Sequence, residues 1–443
     1  MFHIIRNFKS IYTSNYQAIL SAPIVDQFCF IAGLKEILTA CRQLLDMRLK
    51  NPPRPLPAPD EADVLRVKPL VEYLAREIRS SGGKIPFSRF MELALYTPEL
   101  GYYLSSHAIF GTQGDFITAP EMTPIFSRCI ARQIENILNN LNGGDILEFG
   151  AGVGTMACDI LMELETLSSL PENYYISEIS PRLRERQKTR ISTYAPHLLE
   201  RVSWIQDLPS DFKGIILGNE ILDAIPPHRV RLNESGNHQE LFVTYNNGEF
   251  EWLADECSTQ EIQDAATAIY KKYGEHITTP YDTEINFQSL DWIENIANCL
   301  SEGLILLIDY GFNENEFYRA ERKDGSLMCH YKHCAHNDPL THIGLQDITS
   351  HVNFTAIAER AFDSGLTVSG YTSQSYFLIS CGLDELLSEI DINDTKLFIQ
   401  ETQPIKALIL PDEMGELFKV IGLTKNIDFP LLGFSTKNQL ERL

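Results

Sequence analysis

The stretch Ile146-Leu147-Glu148-Phe149-Gly150-Ala151-Gly152-Val153-Gly154-Thr155 frames the reading of the whole chain. A short apolar run, sized for a buried strand, ends on an acid and enters three glycines at alternate positions. A helical pattern follows, with Met156, Ile160, Leu161 and Leu164 spaced along one face. Glycines let a backbone turn sharply and approach a ligand closely, and the helix start offers unpaired N–H groups. Dinucleotide sites favour G-x-G-x-x-G, whereas the spacing here is G-x-G-x-G with Glu148 at the strand end. A carboxylate beside such a loop suits a cationic ligand, and S-adenosylmethionine carries an ammonium and a sulfonium. A glycine-rich turn with no ligand is the alternative, because such turns are common in α/β sheets.

Outward from the loop, strands and helices alternate. Strand patterns at 174–177, 202–205, 214–218 and 303–309 are interleaved with helical ones at 155–167 and 181–194. This predicts a doubly wound α/β core with a mostly parallel sheet, spanning 141–227 and 301–381. Residues 61–140 read as an N-terminal helical and lid region, with helices near 65–78 and 124–138. An irregular Gly- and Tyr-rich segment, 101–121, lies between them. Residues 228–300 read as an α+β insertion, with a hairpin (229–232, 240–245) and a helix near 261–272. Residues 382–443 read as a helical tail, and 1–60 as an extension plus a stiff spacer built on Pro52, Pro53, Pro55, Pro57 and Pro59.

Acids recur after successive strands. Glu178 ends the second strand, 24 residues past Gly154, where it can hydrogen-bond a ribose diol, and Asp207, just after the third, can meet an adenine amino group. Either alone reads more readily as a solvated loop acid than as a ligand; with Glu148, acids after three successive strands together favour a nucleoside cofactor. Asn219, Glu220 and Asp223 follow the fourth strand on the same rim. In a helical turn Glu220 and Asp223 share a face and can clamp a guanidinium. The alternative is a helix N-terminus whose acids complement its dipole. His351, four residues after Asp347, is an acid–base candidate or a structural histidine. The segment Cys329-His330-Tyr331-Lys332-His333-Cys334-Ala335-His336 has zinc-like residue types but no partner cluster, so no metal is expected. The run Arg182, Arg184, Arg186, Lys188, Arg190 reads as a solvated helix surface.

The bulk numbers set limits. A formal charge of −23 argues against phosphate-driven nucleic-acid binding, and no apolar stretch is long enough to cross a membrane. Nine irregularly spaced cysteines fit reduced thiols.

The ordered set of motifs resembles the MidA-like family of bacterial and mitochondrial methyltransferases, which includes the protein-arginine methyltransferase of complex I assembly. It comprises Gly101-Tyr102-Tyr103, Gly114-Asp115-Phe116-Ile117-Thr118-Ala119-Pro120-Glu121, the Glu148–Thr155 loop and Glu178-Ile179-Ser180-Pro181. Asn219-Glu220-Ile221-Leu222-Asp223-Ala224, Ile308-Asp309-Tyr310-Gly311, Asp347–Phe354 and Met414–Val420 complete it. The resemblance implies a class I methyltransferase fold with a seven-stranded sheet, S-adenosylmethionine as cofactor and a protein arginine as acceptor. By family pattern Gly150, Gly152 and Glu178 hold the cofactor, and the reading of the loop and strand ends adds Glu148, Gly154 and Asp207. Asn219, Glu220 and Asp223 line the acceptor side, Asn219 also reaching the cofactor. Asp115, Thr118 and Glu121 belong to a closing segment, and Tyr310 lies on the substrate side. Ala151 and Val153 depart from the Pro and Arg frequent in that loop. A bacterial cytoplasmic member is expected, with the mitochondrial matrix as alternative. Competing readings are a non-catalytic assembly protein that keeps the fold, and a methyltransferase with a non-protein acceptor.

Overall fold

The computed structural model describes residues 56–105, 118–234, 236–390 and 395–443, with the side chains of 395–401 excepted. The N-terminal extension, most of the Pro-rich spacer and Asp115 lie outside the described residues.

The chain enters through α1 (Glu61–Ser80), whose start is fixed by the Asp60 side chain accepting from the Asp63 N–H at 2.7 Å. A two-residue strand, β1 (Ile85–Pro86), leads into α2 (Phe87–Tyr96). Beyond the Gly- and Tyr-rich segment come α3 (Ala119–Met122) and α4 (Pro124–Leu141). The alternating core begins with β2 (Asp145–Phe149), α5 (Thr155–Thr166), β3 (Tyr174–Ser177), α6 (Pro181–Tyr194), β4 (Val202–Ile205) and β5 (Phe212–Asn219). It is interrupted by β6 (His228–Leu232), β7 (Gln239–Asn246), β8 (Glu249–Asp255), α7 (Gln260–Tyr273), β9 (Tyr281–Ile285) and α8 (Phe287–Cys299). It resumes at β10 (Leu300–Phe312).

After a short α9 (Glu314–Phe317), strands β11 (Leu327–Tyr331), β12 (Cys334–His336) and β13 (Asp347–Ser350) form a separate three-stranded sheet. The two-residue β14 (Val352–Asn353) runs beside the carboxyl end of β10. Then follow α10 (Phe354–Asp363), β15 (Thr367–Ser373), α11 (Gln374–Ser380), α12 (Leu383–Ser388), α13 (Thr395–Ile409), α14 (Met414–Leu417) and β16 (Phe418–Lys425).

The main sheet runs β15-β16-β10-β5-β2-β3-β4. Strands β4, β3, β2, β5 and β10 are mutually parallel, and β16 lies antiparallel between β10 and β15. These seven strands form the mostly parallel sheet expected, and the short β14 adds an eighth beside the end of β10. Both faces are covered, so the central strands are apolar throughout. Ile146, Ile215, Leu217, Leu304 and Leu306 point into one core with α4, α5 and α11. Leu147, Ile216, Ile305 and Leu307 point into the other with α8 and α10. Each such side chain contributes about 1.5–3 kcal/mol by full burial.

Three expectations need correction. The tail after 382 is not only helical: β16 supplies an interior strand of the main sheet, one in from its edge, because Val420, Ile421 and Leu423 are apolar enough to be buried on both faces. Helix α4 belongs to the α/β core rather than to a lid, since Ile130, Ile134 and Ile137 pack there. The insertion is not separate from the N-terminal region: β1 pairs antiparallel with β7, joining the sheet formed by β6, β7, β8 and β9. Leu70, Leu74, Phe87 and Phe90 share a core with Val243, Leu327 and Ile348, so three distant segments build one lobe.

Strand order reverses between β2 and β5. Their carboxyl ends are adjacent, with Phe149 opposite Gly218. Open α/β sheets bind ligands in the crevice at this point.

Candidate active site

The loop after β2 is shaped by its glycines. Gly150, Gly152 and Gly154 have φ of +60°, +53° and +83°, a region side chains disfavour. A Cβ on Gly154 would also lie 3.0 Å from the Gln187 Cα, so α6 approaches only because the side chain is absent. Gly152 faces open space on its Cβ side. The backbone there is free to meet a ligand at the start of α5.

Glu178 is buried at the end of β3. Its Oε1 accepts from the Ser180 N–H at 2.8 Å and its Oε2 from Gln187 Nε2 at 3.0 Å. Burial nevertheless holds its carboxyl above the usual range. Gln187 Nε2 also donates to the Gly152 carbonyl at 2.9 Å, and its Oε1 accepts from Trp204 Nε1 at 2.8 Å. One amide thus ties the glycine loop to the ends of β3 and β4. The sequence reading missed Gln187. The signal was present in Leu183, Gln187 and Ile191, three buried positions at helical spacing in an otherwise charged helix.

Glu148 does not sit as expected. It is almost fully buried, its Oε2 accepts from the Tyr174 hydroxyl at 2.7 Å, and burial pushes its carboxyl up to about 8. Its carboxyl is taken up by Tyr174 at the strand end and is not presented as an open charge. Asp207 is exposed in the bend after β4.

Asn219, Glu220 and Asp223 do come together beside the loop. Glu220 takes a left-handed φ of +55°, and its N–H donates to the Ile308 carbonyl at 2.9 Å. The turn is held by Asp309, at the carboxyl end of β10. Its Oδ2 accepts from the N–H groups of Ile221, Leu222 and Asp223 at 3.1, 2.9 and 3.3 Å, and its Oδ1 accepts from the Tyr310 N–H at 2.9 Å. Asp309 is a positioning residue that sequence reasoning quoted but gave no role. Its signal is an acid directly after the apolar run Leu304–Ile308.

Asn219 Nδ2 donates to Glu220 Oε1 at 3.1 Å, leaving Asn219 Oδ1 buried without a hydrogen-bond partner. Asp223 is 4% exposed, and its Oδ1 is likewise buried and unpartnered. Burial, and then repulsion from Asp223, pushes the Glu220 carboxyl up to about 8. Burial and the neighbouring Asp309 hold Asp223 well above the carboxylate range. Unpaired buried acceptors are costly, so the pocket is built for a donor, and a cationic donor relieves the repulsion as well.

Tyrosines wall this pocket. The Tyr96 hydroxyl donates to the Ala224 carbonyl at 2.9 Å, and its ring stacks on Tyr103 at 5.4 Å. Tyr310 follows Asp309 and packs edge-on against His351 at 5.1 Å. His351 is pinned: its Nδ1 lies 2.7 Å from the Ser326 carbonyl and its ring stacks on Phe312. Burial, and then the charge of Arg322, depresses its pKa to about 3. Such an imidazole stays neutral and accepts protons poorly, which speaks against the acid–base role expected for His351.

Of the closing segment, Thr118 is the N-cap of α3, and Glu121 accepts a hydrogen bond from the Thr155 hydroxyl at the start of α5. Glu121 therefore touches the helix that the glycine loop opens. The Arg182–Arg190 run is not merely solvated. Arg184 Nε donates to the Glu178 carbonyl at 2.6 Å, Arg182 to the Ser105 carbonyl at 3.4 Å, and Arg190 lies 4.0 Å from Glu121. The Cys329–His336 segment folds as the β11–β12 hairpin.

A family model described as "Putative S-adenosyl-L-methionine-dependent methyltransferase" matches residues 129–372. A crystal structure of a COG1565 superfamily member from Burkholderia thailandensis bound to S-adenosyl-homocysteine is similar at a TM-score of 0.83 and 36% identity, covering 88% of this chain and all of that one. The Drosophila melanogaster protein named protein arginine methyltransferase NDUFAF7 homolog, mitochondrial, is 26% identical over 415 residues, or 82% of this chain and 88% of the relative. The Homo sapiens protein named protein arginine methyltransferase NDUFAF7, mitochondrial, is 26% identical over 388 residues, covering 81% and 83%. The open glycine loop at the sheet's reversal and the unpartnered acceptors beside it fit the cofactor of that family. The chain belongs to the MidA-like family of S-adenosylmethionine-dependent methyltransferases.

Proposed function

We propose that this methyltransferase acts on an arginine nitrogen of a protein substrate. The observation that carries the reading is the buried acceptor cluster among tyrosines, in which Asn219 Oδ1 and Asp223 Oδ1 have no hydrogen-bond partner and the Glu220 carboxyl stands beside them. A guanidinium is planar, permanently cationic and rich in donors, which matches such acceptors. The printed names of the curated relatives support the same acceptor class. The cofactor, when bound, supplies a methyl group on a positively charged sulfur. Gly150, Gly152 and Gly154 line its loop, Glu178 is assigned to its ribose, Asp207 to its adenine and Asn219 to the boundary with the acceptor. Glu220 and Asp223 hold the guanidinium. Glu220, with a carboxyl pushed up to about 8, suits acceptance of the proton that the methylated nitrogen releases.

The compartment is read as reducing, bacterial cytoplasm first and the mitochondrial matrix second. The seven cysteines among the described residues are all free, which supports a reducing compartment.

The test is transfer of tritiated methyl from S-adenosylmethionine into cell lysate, followed by mass spectrometry of the labelled product. Methylarginine is expected. Label on lysine, on a carboxylate or on a small molecule refutes the acceptor assignment. Asp223→Ala should keep cofactor affinity within about threefold and lower turnover by at least about 100-fold, the scale of a lost acid–base or orienting group; wild-type turnover removes Asp223 from the reaction.

A further inference from the structure

The acceptor pocket has a second wall that does not come from the α/β core. Asp347 opens β13, in the three-stranded sheet outside the core, and is 3% exposed. The Tyr103 hydroxyl donates to its Oδ1 at 2.7 Å. Two short routes tie this pair to the Asp223 turn. On one side Tyr103 stacks on Tyr96, whose hydroxyl holds the Ala224 carbonyl. On the other the Ser350 N–H donates to the Asp223 carbonyl at 2.9 Å. The charge of Asp347 is felt at both Glu220 and Asp223, as expected for carboxyls facing one space.

We propose that Asp347, oriented by Tyr103, is the opposing carboxylate of the acceptor pocket and gives it its preference for a guanidinium over an ammonium. The proposal rests on the arginine reading above. Asp223 Oδ1, in a residue more than nine-tenths buried, has no hydrogen bond of ordinary geometry, and the neighbouring Tyr310 hydroxyl is the donor nearest to it, so the pocket has acceptor capacity left for a ligand's donor. A guanidinium presents five N–H groups on a rigid planar fork, and one carboxylate satisfies only one edge of it. A second acid across the pocket takes another edge and fixes the plane. An ammonium is a compact charge with three rotatable donors, which the Glu220 and Asp223 side alone can satisfy. Removing Asp347 therefore weakens a guanidinium far more than an ammonium.

The competing account is that the Tyr103–Asp347 bond only pins the N-terminal lobe to β13. The two separate by calorimetry on the full chain saturated with S-adenosyl-homocysteine, using Nα-acetyl-arginine methylamide and Nα-acetyl-lysine methylamide as probes. Asp347→Asn keeps an acceptor for Tyr103 and should weaken the arginine probe at least about tenfold, or about 1.4 kcal/mol. The lysine probe and S-adenosyl-homocysteine should change by less than about threefold. Tyr103→Phe, which keeps the ring, should shift the arginine probe in the same direction by a smaller factor. An Asp347→Asn protein that keeps the wild-type arginine preference overturns the proposal, as does equal weakening of both probes together with S-adenosyl-homocysteine. A wild-type protein with no preference for the arginine probe sinks the arginine reading itself, and this inference with it.

Discussion

Replacing Gln187 with leucine removes three hydrogen bonds at nearly constant volume. The losses are the bonds to the Gly152 carbonyl, to Glu178 Oε2 and from Trp204 Nε1. Two involve neutral groups, worth about 1 kcal/mol each, and the one to a carboxylate is worth about 1.5–3 kcal/mol. The sum, roughly 3.5–5 kcal/mol, is a large share of a domain's stability of about 5–15 kcal/mol. Part of it should appear as a lower Tm. The rest should appear at the loop, because Gly152 loses its tether and must be ordered by the ligand instead. If about 1.5–3 kcal/mol of ordering moves into the binding step, affinity for S-adenosyl-homocysteine falls by about 10- to 150-fold. Glu178, already raised by burial, loses a donor that lowers its pKa, so the weakening should be larger at mildly acidic pH. The assay is calorimetric titration of wild type and Gln187→Leu at two pH values, with Tm measured alongside. A variant whose Tm drops while its affinity stays within about threefold would show that Gln187 only stabilises the fold, refuting the tether.

Gly152→Val should abolish cofactor binding while leaving the circular-dichroism spectrum intact, since a β-branched residue resists the φ of +53° at the loop; unchanged calorimetric affinity would count against the loop. The apo protein should lose stability as pH rises from the ordinary carboxyl value of 4.5 towards about 8. Over that window the folded state holds protons, at Glu220 among others, that the unfolded chain has released. Glu220→Gln should flatten the slope of denaturation free energy against pH in that window, and an unchanged slope would contradict the burial of this acid.

The central loop and the β-α alternation were legible because their signals are local. Glycines enforce one backbone shape, and a strand buried on both faces shows as an unbroken apolar run. The turn at Asn219–Asp223 was legible because it directly follows such a run. The remainder of the site depends on contacts between distant segments. The Asp347–His351 spacing was weighed as i, i+4, a helical relation, yet Asp347 lies in an extended strand and His351 just beyond it. That difference in period moved the interest from the histidine to the aspartate. The Cys329–His336 segment, zinc-like only in its residue types, follows the same period. It lies in extended β11 and β12 and a turn, where alternation turns neighbouring side chains to opposite faces. The β16 strand was missed because a short apolar run near helical sequence reads either way by periodicity alone.

The position of β16 also bears on how the protein is made. Strands β10 and β15 cannot be joined until Phe418–Lys425 emerges, more than a hundred residues after β10 ends at Phe312. Through that interval β10, and from its own synthesis β15, offers the growing chain's surroundings an unfilled row of amides and carbonyls, a template for mispairing during synthesis. A ribosome-bound intermediate of this protein should therefore depend on holdase chaperones until the missing rung slots in, and a stalled chain that stops short of it should aggregate.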